Sequence, residues 1–404
     1  MKTIDSVNCL IKEKKAKVYT ASEIKEMVRR GNIPSVDDVD VVTCGTFGVM
    51  SGTMAIISFT ASWPGSFARA ERIELNGVPG TPGPCPNKNL GIVDCVVYGT
   101  SRRDGRYGGG HLFRDIVNGG AIIAEATSHG KVFRKELTID DMPCARMVAT
   151  RGTFRSYAAF LNTENGSRGT IFSVTGMKGP MKDISVSGCG EIDPIRNDAS
   201  SYLVAGAPVL LNGGHGTVLG PGTGSLPRPN LSAAADMRGM DAALMGGFIT
   251  SAGPECMTSF TAAIPITDRS SLNGIFVLDG SIELPVAEIH THAAMASASY
   301  GNVWEGTSRK ITVSAERCLG CGPCLPENLC PVEALRPGNI DTDACVVCGT
   351  CVSSCAGGVF SADLGSIDHL GTAIPITLRQ SDRNRAERSS EELKRMIEEG
   401  EWCL

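Results

Sequence analysis

The chain has 404 residues, 42% of them hydrophobic, and a formal net charge of −5 at pH 7. This mildly acidic balance argues against general nucleic-acid binding. No stretch approaches the roughly 20 consecutive apolar residues of a membrane span, and the first residues lack the apolar core of a signal peptide. We therefore expect a cytoplasmic protein that binds neither nucleic acid nor a membrane.

The amino-terminal segment predicts short helices and strands joined by glycine turns. Thr20–Glu23 is a capping box that opens a helix ending at Gly31. Residues 39–43 predict a buried strand, residues 44–48 follow it as a glycine-rich turn, and residues 91–98 predict another strand. Open α/β sheets bind ligands at the carboxyl ends of their strands, so the turn is a candidate site.

A second glycine-rich segment leads into a helix predicted at residues 112–118. The free amides at such a helix start, contributed by Gly109 and Gly110, would suit an anion. Arg102 and Arg103 precede them and would add positive charge. The alternative is a mobile surface loop with solvated arginines, because a glycine triplet is a weak anion-binding signal.

The middle of the chain continues the alternation of strands and short helices. Strands are expected at residues 120–127 and 202–211, and an apolar-polar helix near residues 141–150. This alternation predicts the fold class α/β, with a large glycine-rich α/β domain over residues 1–305.

The carboxyl-terminal segment, residues 366–404, predicts a strand and a helix that pack back on the large domain. Ser389–Glu392 would cap the helix, and the charged residues 379–388 are expected to be solvated. The phrase Ala-Ile-Pro-Ile-Thr occurs at both 263–267 and 373–377. These two similar strand ends suggest that the sequence between them contains a module inserted into one domain.

Eight of the 16 cysteines form two regularly spaced runs between residues 306 and 365. The first run is Cys318, Cys321, Cys324 and Cys330, and the second is Cys345, Cys348, Cys351 and Cys355. Three thiolates spaced two residues apart wrap one corner of a cubic iron–sulfur cluster, and the fourth ligand comes from the other run. We predict one cluster on Cys318, Cys321, Cys324 and Cys355, and a second on Cys345, Cys348, Cys351 and Cys330.

This spacing predicts a ferredoxin-like (α+β) module over residues 306–365 that holds two [4Fe–4S] clusters. The alternatives are two zinc sites or a disulfide knot. Zinc usually joins two Cys-x2-Cys pairs, whereas each run here has three thiolates in a row. A disulfide knot would need an oxidising compartment, whereas oxygen-sensitive clusters and free thiols indicate a reducing cytoplasm.

Four residues of the large domain are candidates for catalysis. Cys44 and Cys189 each lie in a glycine-rich context after apolar sequence, where a thiolate with a lowered pKa could act as nucleophile or persulfide carrier. The simpler alternative is that a lone cysteine packs in the core as a small hydrophobic side chain. His111 and His215 lie among glycines and could donate a proton to a carbonyl oxygen, or could be structural.

Several phrases of the large domain resemble the homocysteine-biosynthesis family, the aspartate-semialdehyde sulfurtransferases. They are Val39-Asp-Val-Val-Thr-Cys-Gly-Thr-Phe-Gly48, Gly108-Gly-Gly-His111, Gly188-Cys-Gly-Glu-Ile-Asp-Pro194, Gly213-Gly-His-Gly216 and Ile264-Pro-Ile-Thr267. With the two cysteine runs, the chain is similar to the ferredoxin-bearing branch, which resembles methanogenesis marker protein 16. The resemblance implies conversion of an aldehyde into a thiol with a sulfur donor and two electrons.

The chain departs from the family pattern at the sulfur-carrying cysteines. The family has one cysteine shortly after the Gly-Thr-Phe-Gly phrase, where this chain has Met50-Ser51-Gly52. A second follows the helix expected at 112–118, where residues 128–133 contain no cysteine. The sulfur-carrying role therefore cannot be transferred from the family to a residue of this chain.

The sequence supports an iron–sulfur enzyme that reductively converts a small anionic aldehyde to a thiol, with sulfoacetaldehyde to coenzyme M as the preferred hypothesis by analogy. The alternatives are homocysteine formation from aspartate semialdehyde, or a non-enzymatic electron-transfer or maturation partner. The enzyme would need a sulfur donor, sulfide or persulfide, and an electron-donor protein. Arg102, Arg103, Gly109 and Gly110 are the expected substrate anchors, and a homo-oligomer is left open.

Overall fold

The computed structural model describes residues 2–83, 89–155, 158–188, 190, 202–224, 229–336 and 339–404. The amino-terminal strands are β1 Val18–Thr20, β2 Val41–Val49, β3 Thr53–Thr60, β4 Arg72–Leu75, β5 Val78–Pro82, β6 Ile92–Tyr98, β7 Ile122–Ser128, β8 Lys131–Leu137, β9 Cys144–Ala149, β10 Ala159–Leu161, β11 Gly166–Arg168, β12 Met177–Gly179 and β13 Ile184–Val186. The later strands are β14 Pro208–Leu211, β15 Gly214–Pro221, β16 Leu231–Asp236, β17 Met245–Thr250, β18 Gly253–Pro265, β19 Glu283–Glu288, β20 Ala294–Ser299, β21 Thr312–Val313, β22 Leu335–Arg336, β23 Asn339–Ile340, β24 Phe360–Ser361, β25 Ser366–His369 and β26 Thr372–Arg379. The α-helices are α1 Ile4–Lys12, α2 Ala21–Arg29, α3 Gly109–Val117, α4 Arg269–Gly274, α5 Gly301–Trp304, α6 Leu325–Leu329, α7 Thr350–Ser354 and α8 Arg383–Glu398.

The fold is mixed α/β, as the sequence predicts, and strands form most of it. Within the described residues, 14 strands form one sheet in the order β1-β2-β18-β14-β15-β16-β9-β3-β6-β5-β4-β7-β8, with β17 paired to β18. β1 and β2 pair in parallel, and the neighbours further along the sheet are antiparallel. Glycine turns therefore mostly join antiparallel strands here, instead of leading from a strand into a helix.

A second sheet brings the carboxyl-terminal segment into the large domain. Its order is β20-β19-β10-β13-β26-β25, and β26 runs parallel to β13. Helix α8 follows β26 and packs on β1, β2 and β18. Its Leu393 and Ile397 are buried with Val41 of β2, so residues 366–404 contribute to both layers of the large domain.

The cysteine-rich segment has the element order β-α-β-β-α-β. Its outer strands, β21 and β24, pair with each other, and so do its inner strands, β22 and β23. Its buried side chains join Phe47 and Phe248 of the large domain in one hydrophobic core. The domain boundaries at residues 305 and 365 stay predictions, because the core continues across this junction.

Two predicted local elements differ from the structure. Residues 144–149 form strand β9 instead of a helix, and their burial alternates so that Ala145, Met147 and Ala149 face the core. The terminal helix begins at Arg383, with Asp382 as its cap, well before the predicted start at Ser389. By contrast, the Thr20–Glu23 capping box is confirmed at the start of α2.

The prediction that the charged residues 379–388 are solvated is wrong for most of the segment's arginines. Arg379, Arg383 and Arg385 are at most 4% exposed, and so is Asp382. Each guanidinium contacts an aromatic ring or a carboxylate inside the fold. None of the helices in the part of the chain that the structure describes is long and apolar enough to cross a membrane.

Candidate functional site

A cleft of about 70 Å³ lies where six segments of the described chain meet. Its lining includes Val49, Met50 and Ser51 after β2, Arg151 after β9, Gly188 after β13 and Gln380 after β26. The backbone joins two of these segments directly, because the Val49 amide donates to the Gln380 carbonyl at 2.9 Å. This volume exceeds that of a single water site, so the cleft can admit a small metabolite.

A carboxyl group lies directly behind the cleft wall. Ser51 Oγ donates to Glu255 Oε2 at 2.8 Å, and Glu255 is only 6% exposed in strand β18. Burial raises the pKa of Glu255, while the Ser51 hydrogen bond and the charge of Arg151 act in the opposite direction. A carboxyl with raised proton affinity behind a hydroxyl is suited to exchange a proton with a bound ligand.

Arg151 supplies positive charge to the cleft. Its side chain is half-buried, and Nε donates to Thr223 Oγ1 at 3.4 Å. Among the described residues that line the cleft, Arg151 is the one with a cationic side chain. Guanidinium groups bind carboxylates and other oxyanions through paired hydrogen bonds, so the cleft is suited to an anionic ligand.

Cys44 does not lie in a turn, which corrects the expectation of an accessible thiol. Strand β18 pairs with β2 along the whole length of β2, and Cys44 of β2 lies opposite Ala262 of β18. The Cys44 side chain is 0% exposed and packs in a core with Ile24 and Phe260. Cys189 lies outside the described residues, although the preceding Gly188 lines the cleft.

The two candidate histidines are far from equivalent, and neither lines the cleft. His111 is 5% exposed in α3, and its Nδ1 accepts from the Gly108 amide at 3.3 Å. Burial, and then the charge of Arg114, lowers the pKa of His111 to about 4, so the ring is neutral at pH 7. His215 is exposed on β15, with its ring 5.1 Å from that of Trp402.

The low pKa of His111 predicts a pH-dependent loss of stability. The pKa of a histidine in an unfolded chain is about 6.5. Between about pH 6.5 and about pH 4 the unfolded chain therefore binds a proton at His111 that the folded chain does not bind, and the folded state loses stability as the pH falls. We expect the free-energy advantage of the wild type over His111→Asn to shrink by about 3 kcal/mol across this window. Urea unfolding at several pH values measures it. The control variant is His215→Asn, which replaces an exposed histidine, and a constant His111→Asn difference would contradict the prediction.

The predicted anion site at Gly109 and Gly110 is wrong, because backbone carbonyls already occupy its amides. Gly109 N donates to Ser101 O at 2.7 Å, and Gly110 N donates to Gly99 O at 3.2 Å. The predicted cations also point elsewhere. Arg102 Nη1 donates to Ala252 O at 3.0 Å, and Arg103 pairs with Asp104 at 2.8 Å.

The eight regularly spaced cysteines divide into two sets of different burial. We call Cys318, Cys321, Cys324 and Cys355 the outer set and Cys330, Cys345, Cys348 and Cys351 the inner set. Cys318 and Cys321 are exposed, whereas Cys330, Cys348 and Cys351 are each 7% exposed. The sets are defined by the predicted ligand assignment, and both contain half-buried cysteines, namely Cys324 and Cys355 in the outer set and Cys345 in the inner set.

The chemistry of the inner set fits a metal cluster. Burial raises the pKa of Cys351 to about 12, and the charges of Cys345 and Cys330 act in the same direction. Burial also raises the pKa of Cys348, with Cys330 next in effect. Without a metal, the raised pKa values keep Cys348 and Cys351 protonated at pH 7, and iron would provide the positive charge that stabilises them as thiolate ligands. Within the described ranges, no group of three or more His, Cys, Asp or Glu side chains is arranged so that it could hold a single metal ion.

The inner set lies next to the cleft. The Arg379 amide donates to the carbonyl of Cys348 at 2.9 Å, and the next residue, Gln380, lines the cleft. Val49 lines the cleft too, and it packs against the core that contains Cys348 and Cys351. A backbone hydrogen bond and a shared hydrophobic core therefore connect the inner set to two residues of the cleft wall.

Sequence reasoning missed Arg151, Glu255 and Gln380 as residues of the site. Glu255 gives the strongest signal in retrospect, because it is a lone carboxylate within the long apolar strand β18. Buried carboxylates are rare, and they are often functional. Arg151 and Gln380 have no local signal, since only the tertiary fold brings them to the cleft.

Comparison with known proteins identifies the relatives of the chain. Residues 16–404 match the family described as homocysteine biosynthesis enzyme, sulfur-incorporation. An uncharacterized protein of Methanothermobacter thermautotrophicus is 44% identical over 99% of this chain and 94% of the relative. The L-aspartate semialdehyde sulfurtransferase of Methanocaldococcus jannaschii is 30% identical over 71% of this chain and 58% of the relative. A protein of Methanosarcina acetivorans that is also described as L-aspartate semialdehyde sulfurtransferase is 27% identical over 56% of this chain and 45% of the relative. No solved structure matches the chain.

Proposed function

The chain belongs to the homocysteine biosynthesis family of sulfur-incorporation enzymes, and on that premise we propose that it reductively converts a small anionic aldehyde into a thiol. The observation that carries this proposal is the cleft itself. It places a guanidinium, Arg151, and a hydroxyl backed by a buried carboxyl, Ser51 with Glu255, beside the inner cysteine set. Under this proposal, groups for anion binding and proton exchange would lie next to the source of electrons.

With sulfide as the donor, the proposed reaction balances with two electrons. Sulfide forms a bond to the aldehyde carbon, and the carbonyl oxygen leaves as water after protonation. The resulting thioaldehyde takes up two electrons and two protons to become the thiol. With a persulfide as the donor, two further electrons break its S–S bond and release the carrier thiol. Two [4Fe–4S] clusters, held by the outer and inner sets, would supply these electrons one at a time.

The residues of the cleft have separate proposed roles. Arg151 binds the substrate anion, and this fixes the aldehyde carbon in place. Glu255 acts through Ser51, delivering the proton with which oxygen leaves as water. Cys189 stays the predicted sulfur carrier, because Cys44 is enclosed in the core. The family's cysteine position is occupied by Met50-Ser51, so the donor sulfur does not enter through that residue.

The preferred substrate is sulfoacetaldehyde, which would yield coenzyme M. A second candidate is aspartate semialdehyde, which would yield homocysteine. The two relatives described as L-aspartate semialdehyde sulfurtransferase favour the second candidate. The lack of a cysteine in Met50-Ser51-Gly52 favours a reaction that differs from theirs. A protein that only passes electrons or sulfur to a partner would have no need of the polar cleft.

An anaerobic assay distinguishes these functions. The reconstituted protein receives sulfide, a low-potential reductant and either sulfoacetaldehyde or aspartate semialdehyde, and mass spectrometry detects new thiol. Coenzyme M from the first aldehyde alone is the expected result. Homocysteine from the second would establish the alternative substrate. No thiol from either aldehyde, with reducible clusters present, would refute the enzymatic function.

Replacement of Arg151 tests the assignment of the substrate anchor. We expect Arg151→Leu to raise the KM of a charged aldehyde at least about ten-fold, because a charge-assisted hydrogen bond contributes about 1.5–3 kcal/mol. The KM of neutral acetaldehyde should change little. The matched control is Arg102→Leu, whose guanidinium binds a backbone carbonyl away from the cleft. Equal effects of Arg151→Leu on charged and neutral aldehydes would rule out this role.

A further inference from the structure

The cysteine-rich module has an inner and an outer side. On the inner side, Phe47, Phe248 and Met257 of the large domain cover the inner set. Arg385 also contacts the inner side of the module, because its Nη1 donates to the carbonyl of Cys345 at 2.8 Å. No large protein could approach the inner set without displacing these contacts.

The outer side presents apolar side chains to solvent beside the outer set. Leu319 directly follows Cys318 and is 68% exposed. Leu325 directly follows Cys324 and is 53% exposed. Cys321 lies between these two leucines in the chain and is itself exposed. Large exposed apolar side chains that cluster around a functional group are typical of interaction surfaces.

A charged groove continues this apolar surface. It lies between helices α6 and α7 of the module and residues 173–183 of the large domain, and it has a volume of about 690 Å³. Leu325 lines it, together with two exposed lysines, Lys178 and Lys182. Their charge exceeds that of the one carboxyl in the lining, Asp183, so the groove attracts a partner of negative charge.

We propose that this outer face, formed by Leu319, Leu325, Lys178 and Lys182, is the docking surface for an acidic one-electron carrier protein. The inference rests on the proposed function, since it concerns the reductant of the same reaction. The carrier is oxidised by one electron at each encounter, and with sulfide as the donor two encounters supply the electron pair that one thiol requires. The outer set, whose Cys318 and Cys321 are exposed, would hold the cluster that accepts electrons from the carrier, and the inner set would hold the cluster that passes them on. Electron-transfer complexes of this kind are small and transient, so a few apolar contacts with charge steering suffice.

The test compares two reductants on the iron-reconstituted, full-length protein. Stopped-flow absorbance follows bleaching of the iron–sulfur chromophore by a reduced acidic bacterial ferredoxin or by dithionite, an inorganic ion that needs no docking surface. The variants are Leu319→Glu and the double change Lys178→Glu with Lys182→Glu. The matched control is Leu370→Glu, because Leu370 is 89% exposed in the β25–β26 turn, outside the outer face.

We expect both variants to slow reduction by ferredoxin about ten-fold or more, while reduction by dithionite stays unchanged. Added salt should slow the wild type with ferredoxin and should have little further effect on the lysine variant. Unchanged ferredoxin rates in both variants, or an equal loss in Leu370→Glu, would overturn the docking surface and leave the enzymatic function intact. A protein that binds no iron on reconstitution would overturn the proposed function and the docking surface together.

Discussion

Replacing Asp279 with asparagine is expected to lower the free energy of unfolding by about 3–5 kcal/mol, the range for breaking a buried ion pair. Asp279 is 2% exposed, and its two carboxylate oxygens accept from Arg383 at 2.6 and 2.9 Å. Lys25 lies 3.5 Å from the same carboxylate and is also buried. Asparagine retains the shape but removes the negative charge, so two buried cations would lose their shared counterion.

The same carboxylate makes stability depend on pH. Burial alone would raise the pKa of Asp279, but the charges and hydrogen bonds of Arg383 and Lys25 outweigh burial and hold the pKa well below its usual value. The folded pKa is depressed, so the stabilisation is complete above the unfolded pKa of about 3.9 and is lost as pH falls below it. Wild type and Asp279→Asn should therefore converge in stability towards acid pH.

Urea unfolding of both proteins at pH 7 and pH 3 measures this effect. The control is Glu305→Gln, which removes an exposed partner of Arg29 at 3.4 Å and should cost at most about 1 kcal/mol. If Asp279→Asn lowers the free energy of unfolding at pH 7 no more than the control does, other groups must neutralise the buried cations. The same result would remove the basis for the expected pH dependence.

Cys348→Ala is expected to remove roughly half of the bound iron and to destabilise the module. Under the proposed ligand assignment, the inner set would retain three thiolates, whereas the outer set would remain complete. The side chain also belongs to the core shared with Phe47, so the truncation removes packing as well. Iron and acid-labile sulfide assays, with thermal unfolding, measure both effects.

Cys403→Ala is the matched control for Cys348→Ala. Cys403 is exposed near the carboxyl terminus and lies outside both cysteine runs, so the control should bind the full amount of iron. Full iron content in Cys348→Ala would contradict the ligand assignment. Equal loss in both variants would mean that the assay reports general thiol damage instead of cluster ligation.

Local sequence signals predicted local structure well. The capping box at Thr20 starts α2, and the apolar run at 91–98 became strand β6. The spacing of the cysteines predicts the outer and inner sets, and their assignment to two clusters stays a prediction. Each of these signals depends on residues within a few positions of one another, so no tertiary information was needed.

The errors arose where distant segments decide the environment. Residues 379–388 have the charge density of a solvated surface, but Asp279, 104 positions before Arg383, neutralises charge inside the fold. Cys44 has the glycine context of a turn, but its pairing with Ala262 on β18 extends the strand through it. Ser51 and Glu255 are separated by 204 positions, so their hydrogen bond could not be predicted from either segment.

The position of β26 has a consequence for synthesis of the protein on the ribosome. Chains emerge from the amino terminus, and earlier segments begin to fold first. Gln380 completes the cleft, yet it is translated after every cysteine of both sets. The second sheet of the nascent large domain therefore lacks β26 until the entire cysteine-rich module has left the exit tunnel. The binding of iron that we propose for the module can thus precede closure of the cleft in each molecule.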